Sequence, residues 1–282
     1  MKKIALINDI SGFGRCSLTA AIPVVSVMGI QACPLPTAVL SAQTDFGEYF
    51  CHDLTDKMNH ITDGWKQMDE HFDGIHSGYL ADAAQIGNVQ YFLEQFRSED
   101  TIYLADPVMG DHGRTYDMFS EEFLKGMKQL TRQADVITPN LTELCMLADV
   151  DYQEMITHRQ DEDYLQCIKG ICRRLLAGAH RKQTVIVTGI IRNHGEKVFV
   201  GNLAVTETED FHIEHPYTGV GFSGTGDLFA AVICGSLVKG LSVRASMEKA
   251  TYFLREAIEE ASAAGLDPCH GVYFEKYLSR LL

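Results

Sequence analysis

Short apolar runs that end in polar or acidic residues alternate with longer amphipathic runs along this chain, and few folds accommodate that rhythm. Strand-like runs occupy residues 4–8, 74–77, 102–105, 136–138 and 185–188. Helix-like runs occupy 17–28, 82–96, 120–131, 141–148 and 164–176. Two further β-like runs at 197–205 and 208–214 precede closing helices at 224–238 and 243–261. Strands alternating with helices of this length predict an α/β fold on a mostly parallel sheet. Pro23 is expected to kink the first helix, because proline lacks the donor and crowds the preceding turn. Residues 31–52, with Pro34 and Pro36, read as extended. The polar stretch 110–118 reads as a mobile loop.

In an open α/β sheet, ligands bind beyond the carboxyl ends of the strands. Here those ends carry Asn8 and Asp9, Asp106, Thr138 with Asn140, and Thr188 with Gly189. A chain of 282 residues without a Pro, Gly or Ser-rich linker is expected to form a single domain over 1–282. The net charge of −14 argues against a nucleic-acid partner. It leaves phosphate ligands open, since local N–H groups and a cation outweigh a distant field. None of the eight cysteines forms a C-x-x-C pair, their spacing does not suit zinc, and strand-like residues begin at Lys3. Reduced thiols, no secretory leader and a cytoplasmic protein are expected. No apolar run reaches the length of a membrane span.

The stretch GFSGTGDLFAA at 221–231 carries the chemistry most directly. Small residues crowd the start of an apolar helix, with Asp227 in its first turn. Helix starts leave N–H groups unpaired at the positive end of the dipole, and small residues let phosphate oxygens reach them. A carboxylate held there can accept a proton beside a phosphate. As an isolated motif it is equally a small-residue turn in which Asp227 offsets the dipole.

Two more junctions shift the balance. DPVMGD places Asp106 and Asp111 at a strand end and loop start, and Pro139-Asn140-Leu141-Thr142-Glu143 joins a strand to a helix. Such hard oxygen donors suit Mg²⁺, partly through waters and phosphates. Either motif alone is also a helix cap. All three in order, at successive strand-to-helix junctions, are harder to explain as caps.

In that order they resemble the ribokinase-like superfamily, and within it the vitamin B6 (pyridoxal) kinases. The resemblance starts at Ile7-Asn8-Asp9 and residues 12–17 and passes through Leu40-Ser41-Ala42-Gln43-Thr44 and Ser77-Gly78-Tyr79-Leu80. DPVMGD, Thr138-Pro139-Asn140 with Glu143, and 222–231 complete it. It implies an α/β/α sandwich and a kinase that phosphorylates the hydroxymethyl group of pyridoxal or a related B6 vitamer from ATP. Mg²⁺ is implied, K⁺ is admitted, and a homodimer is the usual assembly. Carried onto matching positions, Asp227 is the base, and Gly224, Thr225 and Gly226 form the anion hole. Asp106, Asp111, Asn140 and Glu143 order metal and phosphate, with Asp106, Asp111 and Glu143 as metal ligands. Thr138, Thr188, Gly189 and Thr225 lie along the nucleotide. Thr44 and Tyr79 face the pyridine ring, with Asp9 and Gln43 beside them. The loop near 110–118, including Tyr116, is placed as a lid.

The chain departs from the B6-kinase pattern at Asp9-Ile10, where Ser-His is common, and at Ala42-Gln43-Thr44, where Asn-His-Thr is common. Both departures resemble the hydroxymethylpyrimidine kinases of thiamin synthesis, which form the alternative reading. Asp227 argues against that branch, where cysteine is common, and Tyr79 follows the B6 pattern. A non-catalytic metabolite-binding protein on the same fold is a further alternative, weakened by the presence of the base and all four ordering residues. The Gly12-Phe13-Gly14 run lacks the third glycine of a dinucleotide fingerprint, because that position is Ser17. A sugar kinase would show an N-terminal Gly-Gly pair and a fuller lid sheet. His52, His60, His71 and His76 read as structural or surface residues. Trp65 is expected to pack a helix on the sheet, and the acidic run at 161–163 reads as a solvated turn.

Overall fold

In the computed structural model of the chain, the described residues are 1–116, 118–160 and 163–282. Asp117, within the expected lid loop, and Asp161 and Glu162, in the expected acidic turn, lie outside them. The chain divides into two compact units, one of residues 1–104 with 218–282 and the other of residues 105–217.

The first unit opens with β1 (Lys3–Ser11), α1 (Ser17–Val27), β2 (Gln31–Leu40), β3 (Cys51–Asp53) and α2 (Thr55–Gln67). It continues through β4 (Gly74–Ser77), α3 (Ala83–Phe96) and β5 (Ile102–Ala105). β1 pairs in parallel with β2 and β4, and β3 runs antiparallel along β2. The strand order here is β5-β4-β1-β2-β3. β1 is a near-continuous apolar run, Ile4 to Ile7, fully buried on both faces as parallel strands are. Its register with β2 shifts between Asn8 and Ile10. Such a bulge re-aims side chains where β1 turns polar. Pro23 lies inside α1, which continues through it to Val27.

α2 has no counterpart in the expected elements. It buries only Met58 and Thr62, so its apolar stripe is too narrow to read from sequence. Trp65 on α2 meets Phe92 on α3 at 6.0 Å and Phe72 at 5.4 Å. It thus joins α2 to α3 through this aromatic cluster, and α2 also lies against β2.

The second unit holds β6 (Gly110–Asp111), β7 (Arg114–Thr115), α4 (Glu121–Gln133), β8 (Val136–Ile137) and α5 (Leu141–Ala148). Then come α6 (Tyr152–Thr157), α7 (Tyr164–Ala177), β9 (Thr184–His194), β10 (Lys197–Val205) and β11 (Asp210–Pro216). β8 and β9 are parallel, whereas β9, β10 and β11 form an antiparallel meander. β9 runs to His194, six residues beyond the expected end at Thr188, because its outer half pairs with β10. The stretch expected as an irregular loop contains a hairpin. β6 pairs with β7 through His112 and Gly113, whose φ of 50° and 75° fit a type I′ turn. The Gly113 N–H donates to Thr142 Oγ1 at 2.9 Å, tying the hairpin tip to α5.

The chain then returns to the first unit with α8 (Thr225–Val238) and α9 (Val243–Ala263), followed by short 3-10 turns. Residues 228 to 236 of α8 are all buried, as expected of a helix that is apolar all round. All eight cysteines are free. Among the described residues, no helix is long and apolar enough to cross a membrane.

Candidate active site

In the first unit the site is built where β1 ends and α8 begins. Gly224 caps α8 in the left-handed region, at φ 79°. A Cβ there would stand 1.9 Å from the Arg15 carbonyl oxygen, so both backbone sign and space demand glycine. The first intrahelical bond shown at this end runs from Leu228 N–H to the Gly224 carbonyl at 3.0 Å. The N–H groups of Thr225, Gly226 and Asp227 therefore belong to the helix's orphan donors. Thr225 Oγ1 donates to the Phe222 carbonyl at 2.9 Å, closing the turn.

Asp227 sits half-buried in that first turn. Burial pushes its pKa up to about 6; the Ser17 backbone N–H and the Asn8 amide pull it down, and the Asp9 charge pushes it up. Asn8 Nδ2 donates to Asp227 Oδ1 at 3.0 Å. Ser17 begins α1 with φ 51°, a strained conformation for serine. Cys16 stands beside both carboxylates, and burial with their charges raises its thiol to about 12. A neutral thiol results, so the ionisable carboxyls of this cluster are Asp227 and Asp9.

The four residues expected at the acceptor fall into two kinds. Asp9 is buried, and Ser11 Oγ donates to its carboxylate at 2.9 Å. Burial raises its pKa against hydrogen bonds from Ser17 and Ser11. Gln43 is buried as well: its Oε1 accepts from Asp45 N–H at 2.9 Å, and its Nε2 donates to the Cys269 carbonyl at 3.0 Å. Both side chains are thus engaged within the protein. Thr44 is exposed, and Tyr79 is half-buried with its hydroxyl pushed up by burial and neighbouring acidic groups. Phe13, Phe46 and His270 make mutual edge contacts at 5.2–5.5 Å next to this turn.

The second unit gathers the expected nucleotide and metal residues. Asn140 and Glu143 form a reciprocal capping box on α5: Asn140 Oδ1 accepts from Glu143 N–H at 2.9 Å, and Glu143 Oε2 from Asn140 N–H at 2.8 Å. Asn140 Nδ2 also donates to the Gly110 carbonyl at 2.8 Å, and Glu143 Oε1 accepts from Met109 N–H at 3.1 Å. The capping reading of this motif is therefore correct, and it does not exclude the ligand reading. Thr138 Oγ1 donates to Asp106 Oδ1 at 2.9 Å. Burial and the charges of Asp106 and Asp111 raise Glu143 well above the usual carboxylate range. Thr188 N–H donates to the Pro139 carbonyl at 2.9 Å, and Gly189 N–H to Asn202 Oδ1 at 3.2 Å. Gly189 is exposed with φ 66°.

Mutually repelling carboxylates of this kind suit a divalent cation, whose charge relieves all three at once. Yet among the described residues no three His, Cys, Asp or Glu side chains form a ready-made metal cage. The donor set fits Mg²⁺ held through waters and phosphate oxygens, which is how that ion is usually bound.

Asn8 and Ser17 are the residues that sequence reading left without a role in the site. Asn8 was visible as a polar strand end, but its partner lies 219 residues away. Ser17 registers in the sequence as a helix start, within the 12–17 stretch, and as the position where a dinucleotide fingerprint fails.

Known proteins are similar to this chain over most of its length. The phosphomethylpyrimidine kinase family matches residues 14–272, and the chain belongs to that family. It is a kinase of the ribokinase-like α/β fold. It is 26% identical over 275 residues to pyridoxal kinase PdxY of Actinobacillus pleuropneumoniae, covering 94% of this chain and 91% of the relative. A crystal structure of a candidate phosphomethylpyrimidine kinase from Bacteroides thetaiotaomicron, in its form with pyridoxal, is 40% identical. It superposes with a TM-score of 0.90 over 99% of this chain and 95% of that one. Pyridoxal kinase from Lactobacillus plantarum superposes with a TM-score of 0.87 at 27% identity, covering 100% of this chain and 97% of that one.

Proposed function

We propose that this chain transfers the γ-phosphoryl group of ATP to the hydroxymethyl oxygen of pyridoxal or another B6 vitamer, giving the 5′-phosphate and ADP. The observation that carries the reading is Asp227, a carboxylate with a pKa near 6, in the first turn of α8 beside its orphan N–H groups. The 40% identity to a protein crystallised with pyridoxal supports the choice of acceptor.

Asp227 is ionised at neutral pH and takes the hydroxyl proton as the oxygen attacks. The N–H groups of Gly224, Thr225 and Gly226 stabilise charge developing on the transferring group. Phosphoryl transfer needs position and charge neutralisation more than covalent help, so these parts suffice with a metal. Thr138, Asn140, Thr188 and Gly189 are assigned to the nucleotide. Asp106, Asp111 and Glu143 would hold Mg²⁺, which when bound neutralises phosphate charge. Thr44 and Tyr79 are assigned to the acceptor's ring, with Asp9 and Gln43 supporting that wall from behind. The β6–β7 hairpin is assigned as the lid. K⁺ use, a homodimer and a cytoplasmic, single-domain kinase belong to the same proposal.

The test is a kinase assay with pyridoxal, pyridoxine, pyridoxamine and hydroxymethylpyrimidine side by side. A B6 vitamer should have the highest kcat/KM. Pocket shape alone discriminates only about 10–200-fold, so some turnover of the pyrimidine is expected. A clear preference for hydroxymethylpyrimidine would overturn the vitamer assignment and favour the sister reading that Asp9 and Gln43 suggest.

A further inference from the structure

We infer that Asn8 is the positioning residue of the reaction: it aims the Asp227 carboxylate and couples it to the Tyr79 segment. The inference rests on the proposed role of Asp227 as base and deepens it.

Asn8 is buried at the end of β1, and both ends of its amide are engaged. Its Oδ1 accepts from Tyr79 N–H at 2.9 Å and from Asp9 N–H at 3.0 Å. Two N–H donors can meet only the oxygen, so the amide cannot be flipped, and Nδ2 is directed at Asp227 Oδ1, 3.0 Å away. Gly78 leaves the amide its room: a Cβ there would lie 2.5 Å from Asn8 Nδ2. A donated N–H on one carboxylate oxygen fixes the plane of the group and leaves the other oxygen for the substrate proton. It also favours the ionised form, which a base requires.

Among the described residues, no other on this wall does both. The groups facing Asp227 are the Ser17 backbone N–H from α1, Asp9 from β1 and the neutral Cys16 thiol. Ser17 contributes a backbone donor that no side-chain change removes, and Asp9 opposes ionisation. Among the described residues, Asn8 is thus the one side chain here that both favours the charge and sets its direction. Because the same amide holds Tyr79 N–H, displacement of that segment by a bound ring is transmitted to the base.

Asn8→Asp is the informative variant, because it keeps the acceptor for Asp9 and Tyr79 and replaces only the donor. A further carboxylate beside Asp227, in addition to Asp9, should raise its pKa by about one unit or more. The acid limb of the kcat/KM–pH profile should move up by that amount, costing about fivefold at pH 6 from ionisation alone. KM for ATP should stay near wild type, and any fall in melting temperature should lessen as pH is lowered and the added carboxyl is protonated. Asn8→Ala, read in parallel, should lower kcat more than it raises KM for the vitamer. An unmoved acid limb in Asn8→Asp, or losses that track melting temperature alone, would overturn the inference. Asp227→Asn separates the two claims. If it keeps near wild-type turnover, the base assignment fails. If it loses turnover while Asn8→Asp leaves the limb in place, only the positioning role fails.

Discussion

At the scale of single residues, the proposed chemistry turns on the ionisation of one carboxylate. Burial raises Asp227 to about 6, so this proposed base is mostly charged at pH 7 and loses its charge as pH falls through 6. Activity should therefore decline on the acid side of about pH 6, read from kcat/KM against pH. Asp9→Asn removes a like charge, so it should move that limb to lower pH, opposite to Asn8→Asp. A limb that rises in Asp9→Asn would show that Asp9 acts on the acceptor instead. Asp227→Asn keeps the shape and removes the base, and kcat should fall about 10²–10⁴-fold while ATP binding by calorimetry persists. The start of α8 with Asp227 in its first turn was legible because its small residues and apolar run are contiguous in sequence. Asn8, Ser17 and Cys16 were not, because their roles arise from contacts between β1, α1 and α8 at long sequence separation. Asp9 and Gln43 were visible as polar residues in the two N-terminal stretches assigned to the acceptor. Sequence could not show that Ser11 and Cys269 already occupy their side chains.

At the scale of elements, legibility followed apolar periodicity. β1, β4, β5, α5, α8 and α9 carry strong patterns and fall close to their expected spans. α2 and α6 do not, since they bury two residues and one. The β6–β7 hairpin was hidden because its strands are two residues long, and no alternation can be read over that length. The start of α8 is the element on which the proposed chemistry depends most. Gly224→Ala would force a Cβ against the Arg15 carbonyl and hold a β-carbon at φ 79°. A loss of about 2 kcal/mol or more is expected in chemical denaturation. An unchanged midpoint would show that the α8 start relaxes without penalty. Asn140→Ala removes the cap of α5 and the bond to Gly110, and should cost about 1–2 kcal/mol by the same measurement.

At the scale of the whole molecule, the chain leaves the first unit after residue 104 and returns to it at 218. No composition change marks either crossing, which is why the sequence reads as continuous. Charge is the property that spans the chain: the net value is −14, and carboxyls are buried in both units. Glu143, Asp9 and Asp227 all have pKa values raised by burial. A raised carboxyl binds its proton more tightly in the folded chain than in the unfolded one. Its stabilising contribution is complete below the unfolded value and is lost as pH rises through the folded value. For Asp227 that window runs from about 4 to about 6, and for Glu143 it extends well above 4.5. Asp227 and Glu143 should thus make the metal-free protein melt at lower temperature at pH 8 than at pH 5.5. Mg²⁺ should act in the opposite sense on the Asp106, Asp111 and Glu143 set, because a cation favours the ionised carboxylates. The rise in melting temperature on adding Mg²⁺ should be larger at pH 8 than at pH 5.5, and smaller in Glu143→Gln at both. Scanning calorimetry with Mg²⁺ or with chelator at the two pH values measures this directly. An Mg²⁺ effect equal at both pH values, or unchanged in Glu143→Gln, would return Glu143 to its capping role alone.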